Sequence, residues 1–182
     1  DAVVFAYSDV SHETVMEKGC QAMSAGADFW LLGPAHTTVK AKVPVIAICA
    51  VRTGCGKSQT SRKVTTLLGE MGKKVVAIRH PMPYGDLTRQ ICQRFASRED
   101  LQKQNCTIEE REEYEPYIEK GQVVYAGIDY QKIVAAAQKE AEIIVWDGGN
   151  NDTPLVEPDL LITVVDPLRA GHERRYYPGE IN

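Results

Sequence analysis

The sequence predicts an α/β fold, a parallel β-sheet in a three-layer sandwich with helices on both faces. Apolar, β-branched runs of strand length alternate with helical patterns along most of the 182 residues. A glycine-rich segment, residues 51–58, lies between one predicted strand and the helix after it. Another apolar strand ends at Asp147. Both features fall at the carboxyl ends of predicted strands, where open α/β sheets bind their ligands.

The first 34 residues predict a β-α-β unit, with Ser11 as the N-cap of its helix. One such unit cannot bury both faces of its sheet. We therefore expect residues 1–34 to be the C-terminal part of a Rossmann-like domain in a truncated chain, and we place a domain boundary in the connector 34–42. The predicted elements are strand 2–7, helix 8–26 and strand 28–33.

Residues 43–182 predict a second α/β domain, itself truncated at its C-terminus. Gly72 and Gly121 end two of its helices, and Thr107 with Glu110 forms a capping box. The acidic run 98–121 is expected to be a solvated helix face. The predicted strands are 43–50, 75–79, 123–126, 143–147 and 160–165, and the predicted helices are 57–71, 87–97, 107–121 and 129–141.

Composition and charge exclude several classes of protein. Apolar residues make up 43% and charged residues 25% of the chain, as in ordinary globular proteins. The net charge of −4 leaves no basic surplus for a nucleic-acid backbone. No apolar run reaches the roughly 18 residues of a membrane helix, and no signal-peptide pattern is present. The five scattered cysteines form no C-x-x-C pair, so we expect a cytoplasmic protein without zinc, disulfides, membrane or nucleic acid.

Segment 51–58, VRTGCGKS, has the chemistry of a phosphate-binding loop. Its glycines let successive amides point at one centre, and the helix after it adds a partial positive charge. Lys57 would reach the outer phosphates and Ser58 would bind Mg²⁺. Val51 occupies the first glycine position of the pattern G-x-x-x-x-G-K-[ST], so Gly54 supplies the turn instead. The expected nucleotide contacts are Thr53, Gly54, Cys55, Gly56, Lys57, Ser58 and Gln59.

Arg52 lies five residues before Lys57, where one branch of P-loop proteins carries a signature lysine. Dimeric ATPases of that branch use this residue to reach the partner's nucleotide. Two interpretations stay open, a catalytic arginine finger in cis or in trans, or a surface arginine. A homodimer follows if Arg52 acts across an interface.

The strand that ends at Asp147 supplies a carboxylate beside this loop. An aspartate that closes an apolar strand is poorly solvated unless a metal or a lysine compensates its charge. We therefore expect Asp147 to hold Mg²⁺ together with Ser58. Asn150 is a candidate for substrate binding, and Asn151 and Asp152 continue the loop as further polar candidates.

The loop from Arg79 to Asp86 is the expected acceptor site, because it follows a strand of the same sheet. Arg79 and His80 would hold a small anionic, phosphorylated substrate. Asp86 would orient the attacking group or hold a metal-bound water. A structural turn with a satisfied histidine is the alternative. The loop 166–172 is expected at the same rim, in contact with base or substrate.

Five segments together resemble the cyclic 2,3-diphosphoglycerate synthetases and the predicted GTPases related to them, over about residues 1–182. The segments are VIAICAVRTGCGKSQTSRKV, VVAIRHPMPYGDL, NCTIEEREEYEPYI, IIVWDGGNND and ITVVDPLRAGHE. The resemblance implies a Rossmann-like domain followed by a P-loop NTPase sandwich of the signature-residue branch. It implies formation of an intramolecular phosphoanhydride from ATP with Mg²⁺. It also implies nucleotide at Gly54, Gly56, Lys57 and Ser58, metal at Asp147, and substrate at Arg79, His80 and Asp86.

We therefore expect a magnesium-dependent phosphotransferase or ligase that uses ATP or GTP. The alternative is a regulatory or metallochaperone-type GTPase, in which the loops around Asp86 and Asp147 would be switches. A third interpretation is a nucleotide-binding module without turnover.

Overall fold

The computed structural model describes residues 1–80, 86–171 and 174–179. Within these ranges the strands are β1 Ala2–Phe5, β2 Val10–Ser11, β3 Asp28–Leu31, β4 Val45–Ala50, β5 Val75–Arg79, β6 Gln93–Phe95, β7 Val123–Ala126, β8 Ile143–Asn150, β9 Leu160–Val164 and β10 Tyr176–Tyr177. The helices are α1 His12–Ser24, α2 Pro34–Thr37, α3 Lys57–Glu70, α4 Arg98–Lys103, α5 Ile108–Ile118 and α6 Tyr130–Ala137, with a 3-10 turn at Pro167–Arg169.

A six-stranded sheet of order β6-β7-β5-β8-β4-β9 forms the centre of the fold. The strands β7, β5, β8, β4 and β9 are parallel to their neighbours, and β6 runs antiparallel to β7 at one edge. The strand before the glycine-rich loop, β4, therefore pairs directly with the strand that carries Asp147, β8. This pairing brings the two predicted halves of the site to the same edge of the sheet.

Helices cover both faces of this sheet. Along β5, Val76 and Ile78 pack in one cluster with Ile133 of α6, whereas Ala77 between them packs in another with Tyr117 of α5. Successive side chains of a strand point to opposite faces, so the alternation places α6 and α5 on opposite sides. The expected mixed α/β fold with a mostly parallel sheet is confirmed.

The N-terminal β-α-β unit forms a separate parallel pair, β1 with β3. Ser11 accepts a hydrogen bond from the Thr14 amide at the start of α1, which confirms the predicted N-cap. Val4 and Trp30 remain about half exposed on this small sheet. Strand β2 pairs antiparallel with β10 and so links this unit to residues 174–179. The assignment of the unit to a Rossmann-like domain stays a prediction.

The prediction of a helix over residues 87–97 is wrong. Residues 87–89 form a turn, and Gln93–Phe95 form the edge strand β6. Phe95 is completely buried and stacks on Tyr114 of α5, with ring centroids 4.8 Å apart. This packing and the backbone pairing with β7 outweigh the local helical pattern.

The expectation of a solvated acidic helix over 98–121 is also wrong in part. The run contains two helices, α4 and α5, and both begin with a capping box, at Ser97 and at Thr107. Glu110 is 2% exposed and accepts a hydrogen bond from Gln90, 3.2 Å away. One face of α5 is therefore buried against the sheet.

None of the five cysteines forms a disulfide bond in the structure. None of the helices in the described ranges is both long and apolar enough to span a bilayer.

Gly127 follows β7 in a conformation that only glycine adopts readily, with φ at +148°. A methyl group there would lie 2.6 Å from the Ile91 carbonyl oxygen and 2.7 Å from that of Gln90. We expect Gly127→Ala to lower the free energy of unfolding by about 2 kcal/mol or more, measured by urea denaturation.

Gly69→Ala is the matched control, since a methyl group at Gly69 in α3 meets no atom within 4 Å. The change should raise the free energy of unfolding by about 0.5–1 kcal/mol. Equal stability of the two variants would contradict the packing described at Gly127.

Candidate active site

The glycine-rich loop 51–56 connects β4 to α3 at the edge of the sheet. Gly54 and Gly56 have φ angles of +87° and +99°, so both turns require glycine. Helix α3 begins at Lys57 and no side chain caps its first turn. Amide groups at such a helix start carry partial positive charge and need acceptors.

Asp147 lies beside this loop and is 1% exposed. Its Oδ1 atom accepts a hydrogen bond from Lys57 Nζ at 2.7 Å. Its Oδ2 atom binds the guanidinium of Arg79 and accepts a hydrogen bond from the Tyr117 hydroxyl at 2.8 Å. The sequence predicted a metal or lysine partner for this carboxylate, and in the structure Lys57 and Arg79 compensate its charge.

Backbone register explains why Arg79 reaches Asp147. The two residues are direct partners in the parallel pairing of β5 with β8, so their side chains leave the same face of the sheet. The second arm of the Arg79 guanidinium binds Glu113 at 2.8 Å. Arg79 is therefore an internal partner of two carboxylates, and its expected role in binding an anionic substrate stays a prediction.

The buried charges change the proton affinity of Asp147. Burial by itself would raise its pKa, but the positive charges of Arg79 and Lys57, with hydrogen bonds from Lys57 and Tyr117, hold the pKa below the usual value. Asp147 is thus a carboxylate at neutral pH, and its negative charge is what keeps Lys57 at this position.

Glu113 and Tyr117 belong to the site, and the sequence interpretation missed both. They lie on α5, in the acidic run expected to be solvated. The signal was present, because Glu110, Tyr114 and Tyr117 recur at helical spacing and define one face of the helix. All three are buried, which the apolar pattern alone did not reveal.

An open cleft of about 530 Å³ lies over these groups. Its lining residues include most of the predicted nucleotide contacts and the predicted substrate residues Arg79, His80 and Asn150. The described lining residues are Thr53, Gly54, Gly56, Lys57, Ser58, Gln59, Arg62, Arg79, His80, Glu112, Glu113, Asp147, Gly148, Gly149 and Asn150. The structure therefore brings the glycine-rich loop and the end of β8 together around one space.

Contacts at the rim join the loop to its neighbours. Asn150 donates a hydrogen bond to the Thr53 hydroxyl at 3.0 Å. Arg169, from the turn after β9, donates to the Thr53 carbonyl at 2.8 Å and lies 3.7 Å from the Cys55 sulfur. The loop after β9 thus lies at the rim of the cleft, as expected. Its predicted end, His172, lies outside the described residues.

Arg52 does not line the cleft. Its guanidinium binds Asp9 at 2.7 Å and stacks over the Tyr176 ring at 4.0 Å from the centroid. These contacts point the side chain toward the N-terminal unit and β10. The arginine-finger interpretation gains no support from this arrangement and stays a prediction.

Asp86 also lies away from the cleft. Its carboxylate accepts hydrogen bonds from the Thr88 backbone amide and hydroxyl, and these bonds lower its pKa. This is the contact set of a turn-forming aspartate. Residues 81–85 of the expected acceptor loop lie outside the described residues.

His80 lies between the candidate nucleotide cleft and a larger neighbouring cleft. Its Nδ1 is 2.8 Å from the Tyr130 hydroxyl, and its Nε2 is 3.2 Å from an oxygen of Asp152. The ring also packs edge-on against Trp146, with centroids 4.9 Å apart. These contacts fix the orientation of the imidazole.

The residues present fit magnesium held mainly through nucleotide phosphates and water. Such sites use one or two protein oxygens, here the Ser58 hydroxyl and the Asp147 carboxylate. Over the described ranges no group of three or more His, Cys, Asp or Glu side chains is arranged to hold a metal ion. The Mg²⁺ assignment stays a prediction.

Comparison with known proteins gives one clear relationship. The chain is 71% identical over all of its 182 residues to the arginine synthetase ArcE of Thermococcus kodakarensis. It spans 41% of the length of that relative. No known protein-family model matches the chain.

This identity overturns the resemblance to cyclic 2,3-diphosphoglycerate synthetases. The segments that carried the resemblance include the glycine-rich loop 51–56 and strand β8, which carries Asp147. One fold and one nucleotide site can serve enzymes with different acceptors. Motifs of that kind do not identify the acceptor, and phosphoanhydride formation in 2,3-diphosphoglycerate is therefore the wrong expectation.

The hydrogen bond from the Tyr117 hydroxyl to Asp147 can be tested by comparing two Tyr→Phe variants on α5, at Tyr117 and at Tyr114. Tyr117→Phe removes a hydrogen bond to the buried Asp147 carboxylate and should lower the free energy of unfolding by about 1–3 kcal/mol. The Tyr114 hydroxyl is also buried but has no hydrogen-bond partner among the described residues. Tyr114→Phe should therefore change stability by no more than about 0.5 kcal/mol, or raise it. Equal losses in both variants would contradict the assigned contact.

Asp147→Asn should lower the free energy of unfolding by about 3–5 kcal/mol at neutral pH, because Lys57 and Arg79 lose their buried carboxylate. A depressed folded-state pKa contributes stability above the unfolded pKa of about 4, and this contribution disappears as pH falls through the folded value. The difference between wild type and variant should therefore shrink in urea titrations below about pH 4. The exposed carboxylate of Asp28 provides the control, Asp28→Asn. A difference that stays constant with pH would contradict the ionised state of Asp147.

Proposed function

We propose that this chain is part of a ligase that uses a nucleoside triphosphate and forms arginine, the product that the name of its Thermococcus kodakarensis relative states for that protein. The proposal includes a phosphate-binding loop at residues 51–58 and Mg²⁺ as cofactor. It also includes the division of the chain into two domains, residues 1–34 and residues 43–182. A cytoplasmic location remains an expectation from the free cysteines.

The observation that carries the nucleotide part is the Lys57–Asp147 ion pair beside a glycine-rich turn. An ammonium group on a flexible stem can leave the carboxylate and bind phosphate oxygens instead. A hydrated magnesium ion would then compensate the negative charge of Asp147 in place of the Lys57 ammonium group. Arg79 and Tyr117 hold the carboxylate in place during this exchange.

Charge compensation also explains how the site would assist phosphoryl transfer. Negative charge on the transferred group is spread over its outer oxygens, and Lys57, the α3 amides and the metal would stabilise it. The metal would neutralise phosphate oxygens and orient the chain of phosphates. The protein would contribute mainly positioning, by holding the reacting groups next to each other.

The chemistry of the product fits the use of a triphosphate. Arginine formation requires a C–N bond at the guanidino carbon, and an oxygen on that carbon is a poor leaving group. Transfer of the γ-phosphoryl group to this oxygen breaks the bond from the γ-phosphorus to its bridging oxygen and releases nucleoside diphosphate. Attack by an amine nitrogen then forms the C–N bond, and the oxygen leaves within inorganic phosphate.

Replacement of Lys57 tests the proposal. Lys57→Met keeps the apolar stem but removes the ammonium group, so affinity for Mg·ATP and Mg·GTP should fall at least about tenfold in calorimetry. Formation of arginine from a ureido precursor, ammonium and nucleotide should fall in parallel, measured by amino-acid analysis. Lys63→Ala is the control, since Lys63 is an exposed lysine on the same helix. Wild-type nucleotide affinity in Lys57→Met, with circular dichroism unchanged, would refute the phosphate-binding role.

A further inference from the structure

A second cleft, of about 1060 Å³, adjoins the candidate nucleotide cleft. We call it the acceptor cleft and define it by Phe5, Asp9, Leu31, His80, Asp152 and Tyr177, which are among its lining residues. Its walls include residues at or just beyond the carboxyl ends of two parallel strand pairs, β1 with β3 and β5 with β8. Ligands of open parallel sheets bind at such carboxyl ends.

The two clefts share three lining residues. His80, Gly149 and Asn150 line both of them. A molecule in the acceptor cleft would therefore lie next to a triphosphate on the glycine-rich loop. Group transfer between two substrates requires this kind of adjacency.

Charge in the acceptor cleft favours a cation. Asp9 and Asp152 are its carboxylates, and none of the described residues that line it is lysine or arginine. Burial raises the pKa of Asp9 in spite of the Arg52 pair, and the negative charge of Asp152 raises it further. Both carboxylates line the same cleft, and a positive group between them would favour the ionised form of each.

Each carboxylate can serve a ligand in addition to its protein partner. Asp9 binds Arg52 through Oδ1, and Asp152 lies 3.2 Å from His80 through Oδ2. A carboxylate has acceptor sites for about four hydrogen bonds, so it can bind a ligand and protein groups at the same time. Gly149 permits the carboxylate of Asp152 to pack against the backbone of β8, because a side chain at that position would collide with it.

The remaining walls suit a short aliphatic chain. Val4, Phe5, Leu31 and Leu155 supply apolar surface next to the carboxylates. An amino acid with a methylene chain and a basic end group combines these two requirements. A phosphorylated acceptor, expected from the sequence, would meet two negative charges there.

On this geometry, and resting on the proposed function, we propose that the acceptor cleft binds a basic amino acid of the arginine class. Asp9 and Asp152 would bind its positively charged guanidino or amino group, and the apolar wall would contact its methylenes. A guanidinium fits a carboxylate through two parallel hydrogen bonds. The cleft would thereby hold the guanidino carbon beside the triphosphate.

The test is calorimetry of the chain with L-arginine and, separately, with Mg·ATP. We expect L-arginine to bind, and L-glutamate, an anionic amino acid of similar length, not to bind. Asp152→Asn should weaken L-arginine binding at least about tenfold and leave Mg·ATP binding unchanged. Asp28→Asn is the matched control, because Asp28 begins β3 at the end away from the cleft. Amide chemical-shift changes in the wild type should locate L-arginine near Asp152 and Tyr177, which keeps the test valid if a variant does not fold.

The outcomes separate this inference from the proposed function. Binding of Mg·ATP without L-arginine, or equal L-arginine affinity in wild type and Asp152→Asn, overturns the acceptor cleft alone. Binding of L-arginine without nucleotide overturns the proposed function and leaves the cleft assignment standing. If neither binds, both are wrong. Stronger binding of L-glutamate than of L-arginine would overturn the charge argument.

Discussion

The buried carboxylate of Asp147 is the constraint on which the arrangement of the site depends. A charge at 1% exposure is tolerated only with close compensation. Lys57 comes from the start of α3, Arg79 from the neighbouring strand, and Tyr117 from α5. The Asp147 side chain therefore connects two strands and two helices at one point. Loss of any partner leaves a largely buried charged or polar group without one of its hydrogen bonds.

The same constraint connects stability with ligand binding. A triphosphate that attracts Lys57 must supply another cation for Asp147, and Mg²⁺ accompanies nucleotides as such a cation. Nucleotide and metal would then bind together rather than independently. Glu113 would remain on Arg79 and keep its guanidinium aligned, so the exchange would involve one flexible side chain and little of the backbone.

A second set of contacts attaches the N-terminal unit to the six-stranded sheet. Arg52 joins Asp9 to the ring of Tyr176. Asn151 is buried and donates to the Tyr177 carbonyl, which also accepts the Asp9 amide. The segment 174–179 therefore bridges the two parts of the chain at the wall of the acceptor cleft. Arg52, for which the sequence left a catalytic and a surface role open, contacts Asp9 and Tyr176 behind that wall.

The sequence by itself determined the parallel sheet, the glycine-rich turn and the strand that carries the Asp147 carboxylate. These features depend on local properties, namely apolar β-branched runs, positive φ angles at Gly54 and Gly56, and residue spacing. Only the tertiary structure decided which cations compensate Asp147 and where Arg52 points, because those contacts join residues far apart in sequence. Tertiary contacts also decided that residues 93–95 form an edge strand, since burial of Phe95 outweighs a local helical preference. Spacing along the chain predicts which residues share an element, but burial and pairing between elements decide which charges meet.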